Sequence, residues 1–104
     1  AYRAMLASHG LEAVETYTEG NVFGLRRGVG VDAVVVLAAH LDTVFPAGTD
    51  VRVRREGTRL HAPGVGDDTR SLAVLLAWLR AMDAAGIATK ADLVVLGDVG
   101  EEGP

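Results

Sequence analysis

Ala33-Val34-Val35-Val36-Leu37-Ala38-Ala39 sets seven apolar residues in succession and leads directly into His40-Leu41-Asp42. A run that short, with its β-branched residues clustered together, reads as a β-strand covered on both faces. Asp92 to Leu96, with Leu93-Val94-Val95-Leu96, is a second run of the same kind. Strands covered on both faces need helices on both sides, so the expected fold is a layered α/β domain.

The rest of the chain fits around these two strands. Tyr2 to Ser8 reads as a short helix ending at His9-Gly10, where glycine can take the left-handed conformation after the last turn. Val14 to Thr18 and Asn21 to Arg27 read as two β segments hinged at Glu19-Gly20. Val51 to Arg55 and Arg59 to His61, joined by Glu56-Gly57-Thr58, read as a surface hairpin with one wet face. Thr69 to Ala85 is the one long helix, stopped by Gly86. Leu72, Leu75, Leu76, Leu79 and Met82 form one apolar stripe on it, and Val74, Trp78 and Ala81 a second. Two stripes predict a helix wedged between layers, with Trp78 in the core.

Composition narrows the chemistry. The chain has 104 residues, 49% of them hydrophobic, which excludes a disordered polymer. It has no cysteine, so any metal must be held by His, Asp and Glu. A net charge of −4 argues against nucleic acid as a partner. Leu72 to Leu79 is the longest apolar run, too short to span a bilayer, and no membrane association is expected. Arg52, Arg54, Arg55 and Arg59 read as a solvated hairpin face, with His61 beside them.

The polar residues converge. His40 and Asp42 follow one buried strand, Asp67-Asp68 enters the long helix, and Glu101-Glu102 lies just past the second buried strand. In open α/β sheets ligands bind beyond the carboxyl ends of the strands. Each cluster has an ordinary reading by itself: a strand-end histidine, a helix N-cap, a solvated acidic loop. Together, carboxylates aimed at one crevice repel one another unless a cation sits among them. His40 offers an imidazole nitrogen, and Asp42, two residues on in an extended segment, can orient that ring. One carboxylate of Asp67-Asp68 can bridge two ions. Of the adjacent glutamates, one can bind metal while the other takes a proton from water, which is the chemistry of metal-assisted hydrolysis.

Three ordered motifs carry a family resemblance: Ala39-His40-Leu41-Asp42-Thr43-Val44-Phe45-Pro46, Ala62-Pro63-Gly64-Val65-Gly66-Asp67-Asp68, and Gly100-Glu101-Glu102-Gly103. They resemble those of the zinc-dependent aminoacylase, carboxypeptidase and dipeptidase family. That family includes succinyl-diaminopimelate desuccinylases, acetylornithine deacetylases and tripeptide aminopeptidases. The resemblance spans positions 33 to 103 and implies a three-layer α/β/α sandwich with a mostly parallel mixed sheet. It implies that His40 is a metal ligand and Asp42 the acid that positions it. It implies further that Asp67 bridges two Zn2+ ions, with Asp68 after it across a bond often cis in the family. Glu101 corresponds to the general base and Glu102 to a ligand of the second ion. Co2+ or Mn2+ are possible substitutes for zinc.

The resemblance also implies hydrolysis of an amide bond in a small peptide or N-acyl amino acid. Residues 1–104 then correspond to the amino-terminal part of a catalytic domain. The family's remaining ligands and its lid and dimerisation domain would lie outside this chain, so the piece alone is expected to bind metal weakly and to be inactive. The full-length protein is expected to be a homo-oligomer, with a cytoplasmic location. Thr69-Arg70-Ser71 departs from the family's usual Lys-Gly-Gly or Met-Lys-Gly after the bridging aspartate, which leaves the substrate subclass open. Two other readings are weaker. Gly64-Val65-Gly66 before a helix suggests a nucleotide loop, but the acids that follow would repel phosphate. A non-catalytic module of the same fold would be expected to have lost some of His40, Asp67, Glu101 and Glu102, and all four are present.

Overall fold

A computed structural model of the chain describes residues 1–103. In chain order the elements are α1 (Tyr2–Ser8), β1 (Glu12–Thr16), β2 (Val22–Arg26), β3 (Val34–His40), β4 (Arg54–Glu56), β5 (Arg59–His61), α2 (Thr69–Ala84) and β6 (Asp92–Asp98). Four strands form one sheet in the order β1-β2-β6-β3, and β4 with β5 forms a separate hairpin. The fold is α/β with a mixed sheet, in which β3 and β6 run parallel and the β1–β2 and β2–β6 ladders are antiparallel. The parallel pair consists of the two valine-rich runs read from sequence, joined across α2.

Burial along β6 shows which face is covered. Leu93, Val95 and Gly97 are buried, alternating with half-buried Asp92, Val94, Leu96 and Asp98. On the covered side Val95 and Val22 pack with Tyr2 and Leu6 of α1 and Leu79 of α2 in one core, flanked by Leu72, Leu75 and Leu76. Both helices therefore contribute to one core on one face of the sheet. Tyr2 sits so close beneath Gly97 that a Cβ there would lie 2.9 Å from its ring. Burial pushes the Tyr2 phenol up to about 12. Arg26 ties β2 to the end of α2, donating to Asp83 Oδ1 at 2.7 Å and to the Ile87 carbonyl at 2.8 Å.

Several expectations change. The described residues build two of the three layers, the sheet and one helical layer. Val34 and Val36 are 60% and 57% exposed, because nothing among the described residues covers the outer face of β3, and Val35 on the helix side is 46% exposed because β3 is the edge strand. Nor is α2 wedged between layers. Its leucine stripe meets the sheet, while Val74 and Trp78 on the second stripe face solvent at 59% and 38% exposure. Trp78 is thus not a core residue.

Other differences are local. The first strand begins at Glu12 rather than Val14, and its register shifts between Glu12 and Glu15, where Ala13 takes a φ of +46°. The hairpin strands are three residues each and turn tightly at Gly57, whose φ of +58° suits glycine. Gly86, at φ +64°, follows α2 as expected. No helix of the described residues is long and apolar enough to cross a membrane.

Candidate metal centre

The parallel strands end side by side, with His40 paired in register to Asp98. Beyond that edge lie the loop that follows β3, the loop entering α2, and the segment after β6. His40 is the one buried polar residue of the described core, 9% exposed. Its Nδ1 lies 3.0 Å from the main-chain carbonyl oxygen of Asp42. A carbonyl only accepts, so Nδ1 carries a proton and Nε2 is the nitrogen left to face the site. Nε2 stands 3.0 Å from Asp67 Oδ1 and 4.0 Å from Glu101 Oε2. Burial pushes the imidazole pKa down. The bond to Asp67, the Asp42 carbonyl, and the charges of Glu101 and Asp68 outweigh it and hold the pKa above its usual value.

Asp42 does two jobs with different atoms. Its main-chain carbonyl orients the imidazole, while its carboxylate oxygen Oδ1 stands 3.6 Å from Nδ1. Sequence reasoning assigned that orientation to the carboxylate, which instead reaches the third loop: Oδ2 accepts the Glu102 amide at 3.1 Å. Burial pushes the carboxyl pKa up, but the amides of Glu102, Asp42, Gly100 and Glu101 hold it below the ordinary range. Oδ1 is buried with no hydrogen-bond partner.

The loop entering α2 contributes Asp67, whose side chain is 80% exposed and reaches His40 from outside. The Asp67–Asp68 peptide bond is cis. Asp68 occupies the N-cap position of α2, and the Ser71 hydroxyl beside it holds its carboxyl below the usual range. The loop's approach is set by Gly64, at φ +70°, where a Cβ would lie 2.9 Å from the Thr43 methyl.

Ligand atoms of His40, Glu101 and Glu102 all lie within 4.8 Å of one another. One imidazole nitrogen with a fixed tautomer, together with several carboxylates, is a donor set that suits zinc. Among the residues expected from sequence, the structure brings His40, Asp67, Glu101 and Glu102 to one place, with Asp42 bonded behind them. A cleft of about 820 Å³ lies elsewhere, beside the hairpin and lined by Arg52, Arg54 and His61, and none of His40, Asp42, Asp67, Glu101 and Glu102 lines it. Sequence reasoning missed Asn21, whose Oδ1 accepts the Val99 amide at 2.8 Å at the root of the glutamate segment. A single asparagine in a turn carries no signal that distinguishes it from an ordinary turn residue.

No curated protein matches the chain. The profile of peptidase family M20/M25/M40 matches residues 36–104, a stretch that starts inside β3 and includes His40, Asp42, Asp67, Glu101 and Glu102. With about two thirds of its length matched and the cluster inside the match, the chain belongs to peptidase family M20/M25/M40.

Proposed function

We propose that this chain carries part of the active site of a di-zinc amidohydrolase that cleaves a small peptide or an N-acyl amino acid. The observation that carries the reading is the convergence on His40 Nε2. Asp67 Oδ1 stands at 3.0 Å, and the Glu101 and Glu102 carboxylates gather within 4.8 Å of the same imidazole. Unscreened carboxylates repel, so such a cluster is stable at neutral pH when a cation or a protonated imidazole sits among them.

His40 and Asp67 would hold one ion, and Asp67 with Glu102 the other. Zinc bound there supplies Lewis acidity and a water that ionises near neutral pH. Metal binding requires Nε2 to release its proton, which the Nδ1 bond to the Asp42 carbonyl permits without turning the ring. Glu101 is 59% exposed and its Oε2 stands 4.0 Å from His40 Nε2, so its carboxylate, open to solvent beside the imidazole, can take a proton from the attacking water and pass it to the departing amine. Asp42, through the Glu102 amide, holds the ligand's backbone against the histidine it orients. Two protein ligands per ion fall short of the three usual at catalytic zinc. The 104 residues alone are therefore expected to hold zinc weakly and turn over no substrate.

The test uses the protein with its complete ligand set. Glu101→Gln should retain bound zinc by elemental analysis while losing about 10²-fold or more in kcat. His40→Ala should lower zinc content itself. Turnover by Glu101→Gln within a few-fold of wild type would remove Glu101 from the role of base.

A further inference from the structure

The β2–β6 ladder ends at the Val22–Gly97 pair. One step further, where β6 gives way to the glutamate segment, the next amide is not bonded to a main-chain oxygen. The Val99 N–H donates instead to Asn21 Oδ1 at 2.8 Å, so a side chain continues the ladder past the last strand pair. Asn21 is itself fixed from behind, because its carbonyl accepts the Tyr17 amide at 2.9 Å and closes the β1–β2 turn. Val99 in turn lies against Gly20, whose missing Cβ would meet the valine methyl at 3.5 Å. At the other end of the same segment the Glu102 amide is held by Asp42 Oδ2 at 3.1 Å. Gly100, at φ +93°, turns the chain between the two anchors. Residues 99 to 102 are thus clamped by two side-chain acceptors, one on each flank.

We infer that Asn21 is a positioning residue for the metal centre, setting where Glu101 and Glu102 stand relative to His40 by anchoring Val99. The inference rests on the metal-hydrolase reading above, and it adds a residue from outside the stretch matched by the family profile. Asn21 touches neither metal nor substrate and acts through the main chain of the glutamate segment. Supports of this kind, when removed, weaken metal binding by about 10–100-fold.

The experiment compares wild type, Asn21→Ala and Asn21→Asp in the protein with its complete ligand set. Alanine removes the acceptor without bulk, whereas aspartate keeps an oxygen at the same reach. Amide hydrogen exchange should quicken by roughly tenfold or more at Val99, Glu101 and Glu102 in Asn21→Ala, with β6 still protected, and return toward wild type in Asn21→Asp. Zn2+ affinity, measured by competition with a chromogenic chelator, should fall about tenfold in Asn21→Ala and recover in Asn21→Asp. Unchanged exchange in Asn21→Ala overturns the inference, and so does faster exchange with unchanged zinc affinity. A His40→Ala control separates the two claims. If it binds zinc as well as wild type, the metal reading fails, while exchange at Val99 still decides whether Asn21 holds the segment.

Discussion

Asp92 shows how a single side chain joins the two halves of the sheet. Its Oδ1 accepts the Gly28 amide at 2.7 Å, its Oδ2 accepts from Arg27 at 3.0 Å, and its own amide donates to the Ala33 carbonyl at 3.0 Å. The link between β2 and β3 is thereby tied to the first residue of β6. Glycine is required at position 28, since a Cβ would stand 2.3 Å from the Ala91 carbonyl oxygen. The Gly28 amide, and after it the Arg27 guanidinium, hold the Asp92 carboxyl below the usual range. A carboxyl depressed in the folded state adds stability above its unfolded pKa of about 3.9, and that stability is lost as pH falls through the folded value. Asp92→Asn should therefore lower the urea midpoint at pH 7, and the gap to wild type should close as the pH is taken from about 5 to below 3. A gap that stays constant would show that the ionised carboxylate is not what Asp92 contributes. The candidate site was legible at this scale because metal and proton chemistry admit few residue types. His40, Asp67, Glu101 and Glu102 stand out in a sequence for that reason. Asn21 and the Asp42 carbonyl do not, because a turn asparagine and a main-chain oxygen look alike wherever they occur.

Among the elements, α2 separates what periodicity can say from what it cannot. The stripe of Leu72, Leu75, Leu76, Leu79 and Met82 is correct, and Leu79 is 1% exposed within the core. The second stripe is equally apolar, yet Val74 and Trp78 stand in solvent. Hydrophobic spacing records which surfaces tolerate burial, and a second layer must be present for both stripes to be covered. The same reasoning explains β3, whose valines promise two covered faces while the described residues supply one helical layer. Strand ends moved for a different reason: the ladders of β2 and β6 stop where partners stop, and residue preferences carry no information on partners. The asymmetry of α2 predicts a sharp contrast in stability. Leu79→Ala should cost about 2–5 kcal/mol, as truncation of a buried leucine does. Val74→Ala should stay within about 0.5 kcal/mol, since it removes exposed apolar surface and favours the helix. Chemical denaturation of the two variants measures both, and equal losses would mean that the outer stripe is covered in solution.

At the scale of the whole molecule, the covered and bare faces of the sheet are the dominant fact. The radius of gyration is 15.2 Å, above the roughly 13 Å expected for a compact domain of this length. One source is the β4–β5 hairpin, which pairs with itself and has little other tertiary contact. On the face opposite the helices the ladders place Leu25, Val94 and Val36 in one row and Phe23, Leu96 and Ala38 in the next. Tyr17 stacks on Phe23 with ring centroids 5.3 Å apart, extending the apolar surface toward β1. Val36 is 57% exposed at the outer strand of this face, and β3 also offers an unpaired backbone edge. An apolar sheet face beside an open, uncharged edge strand is the arrangement that drives association between chains. The 104-residue chain should accordingly self-associate in solution, with its weight-average mass rising with concentration in sedimentation equilibrium. Val36→Lys places a charge on the outer strand of the face, beside the open edge and at a position already in solvent, so its effect on folding should be small. It should hold the chain at monomer mass over the same concentrations with an unchanged circular dichroism spectrum. A lysine variant that associates as strongly as wild type would locate the sticky surface elsewhere, with the exposed outer stripe of α2 the next to test by Val74→Lys.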